Sequence, residues 1–179
     1  MRTIKSLITL LVLLSITALT QAFTPPPNDD REPDLPSGCE CLEVDPVHQL
    51  AYRSFAMGVQ RYRWDGKAWV FVEPVATLYA DDQYHGKVGI HYAGPTWQEN
   101  SGGKVVAAKM KECKPDPTAI AWLKLQATSN EDPGLFGAVS FIQRVNTKGG
   151  LPPTVPGATI GTLADIPYTA EYYFYRPQE

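Results

Sequence analysis

The chain has 179 residues and a formal net charge of −3, and 44% of its residues are hydrophobic. A chain of this length supports one ordinary domain with its own core. A mildly acidic protein without a basic run is a poor candidate for binding nucleic acid or anionic membranes. Aromatic residues make up 11% of the chain. Because aromatic side chains suit pleated, half-buried surfaces, the composition favours β-structure.

Residues 1–22 have the pattern of a secretory signal peptide. Arg2 and Lys5 form a positive region, residues 7–19 are an apolar run, and the triplet T-Q-A ends at Ala22 as a cleavage site between small residues. The apolar run is shorter than the roughly 20 residues that a transmembrane helix needs. The sequence therefore predicts a secreted or periplasmic protein without a membrane span after cleavage.

A Pro-rich extension is expected over residues 23–41, followed by a single β domain over residues 42–179. Residues 23–37 contain five prolines among Asp, Glu and Asn. This composition is too polar to pack, so it favours a linker or tail.

The domain contains about nine short runs that read as strands, because each is rich in apolar residues and bounded by turn residues. They are Gln49–Phe55, Val59–Trp64, Trp69–Val72, Ala76–Tyr79, Lys87–Tyr92, Lys104–Met110, Ile120–Ala127, Phe136–Val145 and Tyr168–Tyr175. Residues 151–167, which are rich in proline, are expected to form a loop. No long segment has the apolar spacing of a helix. The predicted fold is an all-β, single-domain antiparallel sandwich or barrel of about nine strands, with little helix.

The three cysteines are Cys39, Cys41 and Cys113. In an oxidising compartment one disulfide and one free thiol are the default. A bridge between Cys39 and Cys41 would close a very small, strained ring, so a long-range bridge from one of them to Cys113 is expected. C-x-C with one distant cysteine and no nearby histidine lacks the usual zinc spacing, so no metal site is expected.

The sequence contains no common catalytic or cofactor motif. The strings G-x-S-x-G, H-E-x-x-H and C-x-x-C are missing, and so are the Gly-rich loops that bind phosphates or dinucleotides. We therefore assign no catalytic residues and expect no cofactor.

Gly89–Trp97, which reads G-I-H-Y-A-G-P-T-W, is the first of two unusual strings. Strand alternation places His91 on the face opposite Val88 and Ile90. If that face lines a cavity, His91 could bind a ligand or move a proton; if it faces water, His91 is a surface residue. Trp97 follows a Gly-Pro break and is a candidate for partial exposure, where its ring could stack on a sugar.

The second unusual string, F-I-Q-R-V-N-T, contains Gln143, Arg144 and Asn146. Alternation places Gln143 on one face of the strand and Arg144 and Asn146 on the other. These side chains could order the following Gly149-Gly150 turn. Alternatively, they could form a cluster of hydrogen-bond donors at a pocket mouth, suited to hydroxyls or a carboxylate.

Six strings together resemble one known family. They are G-V-Q-R-Y-R-W at Gly58–Trp64, W-V-F-V-E-P-V-A-T-L-Y at Trp69–Tyr79, H-G-K-V-G-I-H-Y-A-G-P-T-W at His85–Trp97, D-P-T-A-I-A-W-L at Asp116–Leu123, F-I-Q-R-V-N-T-K-G-G at Phe141–Gly150 and P-Y-T-A-E-Y-Y-F-Y at Pro167–Tyr175. With them, the chain resembles the secreted family called domain of unknown function 3455, known from bacteria and fungi. The resemblance covers about Leu42 to Arg176.

The resemblance implies no catalytic residues, because the family lacks an established activity. It does bear on the cysteines. Some relatives keep one cysteine before the D-P-T string and one near the N-terminus. That pattern looks like a disulfide between Cys39 and Cys113, which leaves Cys41 free.

Three functions are compatible with these features. The first is a module that binds a small polar molecule or saccharide through His91, Trp97, Gln143, Arg144 and Asn146. The second is an enzyme with His91 as acid/base and Arg144 or Tyr173 stabilising charge. The third is a structural or envelope-associated protein without a ligand pocket, which acts through an exposed apolar patch or a sheet edge. The sequence does not indicate the oligomeric state.

Overall fold

The computed structural model describes residues 32–178. The expected signal peptide, residues 1–22, and the first part of the Pro-rich extension lie outside the described residues.

Eight antiparallel strands of the described chain form one closed barrel, in which each strand pairs with the next and the last returns to the first. They are β1 (His48–Trp64), β2 (Trp69–Tyr79), β3 (Lys87–Tyr92), β4 (Thr96–Glu99), β5 (Lys104–Cys113), β6 (Trp122–Glu131), β7 (Phe141–Gly149) and β8 (Leu163–Pro177). Two short 3₁₀ helices, Glu40–Leu42 and Leu135–Ala138, accompany them. The predicted all-β class is confirmed, and of the two predicted architectures the structure is the barrel.

Two pairs of predicted strands are continuous and one further strand, β4, was not predicted, so the described barrel has eight strands where about nine were expected. β1 runs through Gly58 and β2 through Pro74. A Cβ at Gly58 would collide with the Val75 carbonyl group and with Ala76, so this close approach of two strands requires glycine. Pro74 is tolerated because, among residues 32–178, residues 69–75 pair with β1 alone, so the other edge of this half-strand has no partner strand in that part of the chain.

Other boundaries differ from the prediction. The four-residue β4 (Thr96–Glu99) was not expected, since it is short and mostly polar. Part of the predicted run Phe136–Val145 forms the second 3₁₀ helix, and β7 begins at Phe141. β8 begins at Leu163, inside the stretch expected to be a loop.

Alternation along the strands separates an inner core from an outer one. In β8, Tyr172 and Phe174 belong to the core inside the barrel, whereas Tyr173 and Tyr175 belong to a cluster on its outer surface. The outer cluster consists of Cys39, Leu42, Leu50, Trp122, Val145, Tyr173 and Tyr175.

Residues 32–47, here called the N-terminal arm, cover this outer cluster. Although the composition of the extension favours an unpacked linker, Leu35 packs against the cluster and Cys39 and Leu42 are buried in it. The Cys39–Cys113 disulfide, with 5.4 Å between its Cα atoms, ties the arm to the end of β5. This is the pairing that the family resemblance implied, and Cys41 is free and exposed.

The second 3₁₀ helix closes one end of the barrel, here called the plug end. The ring of Phe136 stacks on Phe174 with 4.5 Å between centroids. The Phe136 backbone N–H donates to Glu99 Oε1 over 3.0 Å. Asn130 Nδ2 donates to the carbonyl oxygens of Phe136 and Val139, over 2.7 and 3.0 Å. The opposite end is the cavity end, where the inner core is open to a pocket. No helix among residues 32–178 is long and apolar enough to cross a membrane.

Candidate functional site

A cavity of about 130 Å³ lies inside the barrel at the cavity end. Its walls come from all eight strands and the β3–β4 turn, and they combine apolar side chains with a few polar ones. The lining residues are Gln60, Phe71, Pro74, His91, Pro95, Trp97, Lys109, Leu123, Leu125, Arg144 and Tyr172. Two of these lining side chains are cationic, and none carries a carboxylate.

The cavity opens sideways, because the β3–β4 hairpin is too short to reach the end of the barrel. β3 pairs with β2 only over Ala76–Tyr79, and β4 pairs with β5 only over Lys104–Val106. The first half of β2 and the second half of β5 therefore face each other across a gap, here called the notch. Phe71, which is 49% exposed, and the exposed Lys109 stand on its two sides. Pro95 lies at the tip of the hairpin between them.

The β3–β4 turn is built by Ala93-Gly94-Pro95. Gly94 adopts φ +81°, a left-handed conformation that favours glycine. The Thr96 hydroxyl donates to the Ala93 carbonyl over 3.0 Å and holds the turn closed. This geometry brings His91 and Trp97 directly opposite each other in the strand register.

His91 lies on the inner face of β3 and is buried. Its Nδ1 is 2.9 Å from the Thr96 carbonyl oxygen, so Nδ1 carries the proton and Nε2 is the acceptor. Burial lowers the pKa of His91 to about 3; the bond to Thr96 opposes this shift, and the charge of Arg144 adds to it. At neutral pH His91 is therefore an uncharged hydrogen-bond acceptor in the cavity wall.

Trp97 is only 1% exposed, so the expected partial exposure is not observed. Its ring stacks on His91 with 4.1 Å between centroids and meets the edge of Tyr172 at 5.4 Å. The His91 ring thus covers the Trp97 ring. Trp97 Nε1 is buried and has no hydrogen-bond partner in the described structure.

Arg144 reaches the cavity from the inner face of β7. Its Nε and Nη2 donate to the Ala121 carbonyl oxygen over 3.1 and 2.7 Å. Within the described part of the chain, no carboxylate pairs with this guanidinium group. The Ala121 carbonyl group is uncharged, so it does not neutralise the positive charge that Arg144 brings to the cavity wall.

Gln60 and Tyr172 are cavity residues that the sequence did not single out. Gln60 is 3% exposed and Tyr172 is fully buried. Neither Gln60 Nε2 nor the Tyr172 hydroxyl has a hydrogen-bond partner of good geometry among the described residues, but the Tyr172 hydroxyl interacts with Tyr168 and Arg144, and Gln60 interacts with the Tyr168 hydroxyl. Burial raises the pKa of Tyr172, and the positive charge of Arg144 opposes the shift. Strand alternation in the sequence could have identified both residues as inward-facing. Gln60 shares a strand face with Tyr62, and Tyr172 shares one with Phe174.

The other two expected site residues lie outside the barrel. Gln143 is buried under the N-terminal arm, where Nε2 donates to the Leu42 carbonyl over 2.7 Å and Oε1 accepts from the Tyr175 hydroxyl over 2.7 Å. Asn146, with φ +50° at an irregularity of β7, donates through Nδ2 to Glu171 Oε1 over 3.0 Å. The structure therefore brings His91, Trp97 and Arg144 together but separates them from Gln143 and Asn146.

The three histidines do not converge. His48 packs edge-on against Phe141, and His85 lies in a turn beside Asp81. Over residues 32–178, no group of three or more His, Cys, Asp or Glu side chains is arranged to hold a metal ion.

A comparison with protein families decides the relationship that the six strings indicated. The model of a family described as protein of unknown function (DUF3455) matches residues 46–176. The chain belongs to this family. The DUF3455 match begins just before β1 and reaches Arg176 in β8, so it includes the whole cavity. No curated protein and no solved structure matches the chain. Because DUF3455 membership carries no activity, the function has to be inferred from the cavity.

Proposed function

We propose that this DUF3455 protein is a binding module that holds a small polar molecule in the cavity inside its barrel. The supporting observation is that polar groups with incomplete hydrogen bonding converge on one cavity. Trp97 Nε1 has no hydrogen-bond partner within the described structure, and Gln60 Nε2 and the Tyr172 hydroxyl have only contacts with Tyr168 and Arg144 that fall outside hydrogen-bond geometry. A buried polar group without a partner costs about 1–3 kcal/mol, so a ligand or water that bonds to these groups recovers free energy.

The size of the cavity sets the size of the ligand. An apolar cavity of about 150 Å³ in another protein accommodates benzene, and this cavity has about 130 Å³. A saccharide is the less suitable ligand, because a sugar ring would need an exposed indole face and Trp97 is stacked under His91.

The enzyme alternative is less consistent with the geometry. The only hydrogen bond of His91 among the described residues is to a backbone carbonyl group, so no titratable partner activates it. Tyr173 lies in the outer cluster, on the opposite side of the barrel wall from His91. A structural protein without a pocket is also less consistent, since the barrel contains this cavity.

The disulfide supports the expectation of a secreted or periplasmic protein, because such bonds persist in oxidising compartments. Protein purified from its own source is therefore suitable material for native mass spectrometry, which would detect a retained ligand by its mass.

The test is to fill the cavity. Leu123→Phe places a larger side chain on the cavity wall, and Leu163→Phe makes the same change at a residue that is 57% exposed and away from the cavity. Both variants and the wild type are screened against a library of small polar molecules, with the Trp97 indole N–H signal in NMR spectra as reporter. We expect library compounds to shift this signal in the wild type and in Leu163→Phe but not in Leu123→Phe.

Two results would count against the proposal. One is a library that leaves the Trp97 signal of the wild type unchanged at millimolar concentration. The other is a set of compounds that bind Leu123→Phe as well as the wild type, with thermal unfolding showing that the variant is folded.

A further inference from the structure

The polar groups around the cavity are biased toward hydrogen-bond donors. The Arg144 guanidinium group, Gln60 Nε2 and Trp97 Nε1 can only donate, and the Tyr172 hydroxyl can donate as well. The acceptors among these side chains that carry no proton are His91 Nε2 and Gln60 Oε1. A ligand that satisfies such a set needs several lone pairs.

The charged side chains of the cavity also favour an anionic ligand. Arg144 has no carboxylate partner in the described chain, and Lys109 stands at the notch. Lys109 Nζ is bonded to Glu112 over 2.7 Å, on the exposed surface where screening weakens the pair. Arg144 is thus the main charge inside, and its planar guanidinium group matches two oxygen atoms of one anion.

The remaining walls are apolar. Leu123, Leu125 and Pro74 also line the cavity, together with Phe71 at the notch. Leu123 is the direct neighbour of Arg144 in the register of β6 and β7. An inorganic anion would leave these surfaces without contact, whereas an organic molecule with an apolar body would cover them.

We propose that the ligand class is a small organic carboxylate, whose carboxylate group binds Arg144, Gln60 and Trp97 and whose apolar body lies against Leu123 and Leu125. The inference rests on the proposed function, since it names what the cavity holds. The part of the ligand inside the cavity is no larger than about the size of benzene, and the rest of a molecule such as benzoate would extend into the open notch. A hydroxyl group on the ligand would donate to His91 Nε2.

The experiment compares charged and neutral probes of one shape. Benzoate, benzamide and sodium sulfate are titrated into the full mature protein at constant ionic strength, and binding is followed through the Trp97 indole N–H signal and by calorimetry. A charge-assisted bidentate contact favours the anion, so we expect benzoate to bind about tenfold or more tightly than benzamide. Sulfate is expected to cause no comparable shift.

Variants test whether Arg144 causes the preference for benzoate over benzamide. Arg144→Gln should remove the difference between benzoate and benzamide, and Arg144→Lys should retain part of it. Arg63→Gln, on the exposed outer face of β1, is the matched control and should behave as the wild type. If Arg144→Gln does not fold, the comparison of benzoate with benzamide on the wild type still decides the inference.

The possible failures are distinguishable. Equal binding of benzamide and benzoate would overturn the carboxylate class but leave the cavity as a binding site. Sulfate binding as strong as benzoate binding would also overturn it, because the site would then recognise an inorganic anion. Unchanged Trp97 signals with all three probes would overturn this inference, and an unchanged signal across the polar library would overturn the proposed function with it.

Discussion

His91 shows how the barrel changes the chemistry of a single residue. In the sequence it is one of three histidines, with an ordinary pKa near neutrality. In the fold it is enclosed between Trp97 and Tyr172 and bonded to the Thr96 carbonyl group. Because burial lowers its pKa to about 3, the protonated form occurs in the unfolded chain long before it occurs in the folded one.

This difference predicts a pH dependence of stability. Below pH 6.5, the unmodified pKa, the unfolded chain binds a proton at His91 that the folded chain does not bind until about pH 3. The contribution of a neutral His91 is therefore complete above pH 6.5 and is lost as the pH falls toward 3. Between pH 7 and pH 4.5 we expect the loss from this residue to be about 2 kcal/mol.

The measurement is urea denaturation of the wild type and His91→Gln at pH 7 and pH 4.5. The variant cannot protonate at this position, so its stability should fall by about 2 kcal/mol less than that of the wild type over this interval. An equal loss in both proteins would contradict the assignment. So would a direct NMR titration in which the His91 ring protonates near pH 6.

Residues of the site were predictable only in part, for a reason that Gln143 and Arg144 illustrate. Alternation correctly placed these neighbours on opposite faces of one strand. It could not indicate which face is inside, because polar residues normally mark the solvent side and here both faces are covered. Arg144 faces the cavity, and Gln143 faces the N-terminal arm. Gln60 was missed because it lies between core residues in an otherwise ordinary strand.

At the scale of elements, the N-terminal arm is joined to the barrel by one covalent link as well as by packing. The Cys39–Cys113 disulfide joins residues that are 74 positions apart. Cys39 and Leu42 are buried against the barrel, and the Leu42 carbonyl group accepts the bond from Gln143. Loss of the link frees a long loop in the unfolded chain and lowers stability through its entropy.

We predict that Cys39→Ala combined with Cys113→Ala lowers the free energy of unfolding by about 2–4 kcal/mol. The matched control is Cys41→Ala, which removes an exposed thiol and should change stability by less than about 0.5 kcal/mol. Chemical denaturation measures both. A double variant as stable as the wild type would mean that packing alone holds the arm.

The sequence predicted where strands lie better than it predicted whether two adjacent runs form one continuous strand. Lys87–Tyr92 was predicted with the bounds that β3 has, because its alternation is regular. Gly58 and Pro74 read as breaks, since both residues usually interrupt strands. Their tolerance depends on tertiary surroundings that no local pattern records, namely the close approach of β2 at Gly58 and, at Pro74, a strand edge without a partner strand in the described chain.

At the scale of the molecule, aromatic rings connect the two ends of the barrel. Phe136 of the plug stacks on Phe174, Phe174 contacts Trp97 with 6.4 Å between centroids, and Trp97 stacks on His91 at the cavity. One continuous core should unfold as one unit, so a defect at the plug should destabilise the whole barrel.

We predict that Phe136→Ala lowers the free energy of unfolding by about 3–5 kcal/mol. Far-UV circular dichroism and tryptophan fluorescence should report the same lowered midpoint. Val155→Ala, at a residue that is 72% exposed, is the control and should leave the midpoint unchanged. Two separate transitions, or a shift in only one of the two signals, would show that the plug end unfolds independently.

If the cavity binds a small molecule as proposed, the notch determines how quickly that molecule enters and leaves. A molecule that enters between β2 and β5 passes the side chains of Phe71 and Lys109, both of which are exposed. Exposed side chains change rotamer in picoseconds to nanoseconds, whereas opening a strand pair requires local unfolding that takes microseconds to seconds. Access therefore requires no broken backbone hydrogen bond. The residence time of a bound molecule is then set by its contacts with Arg144 and the apolar wall rather than by motion of the barrel.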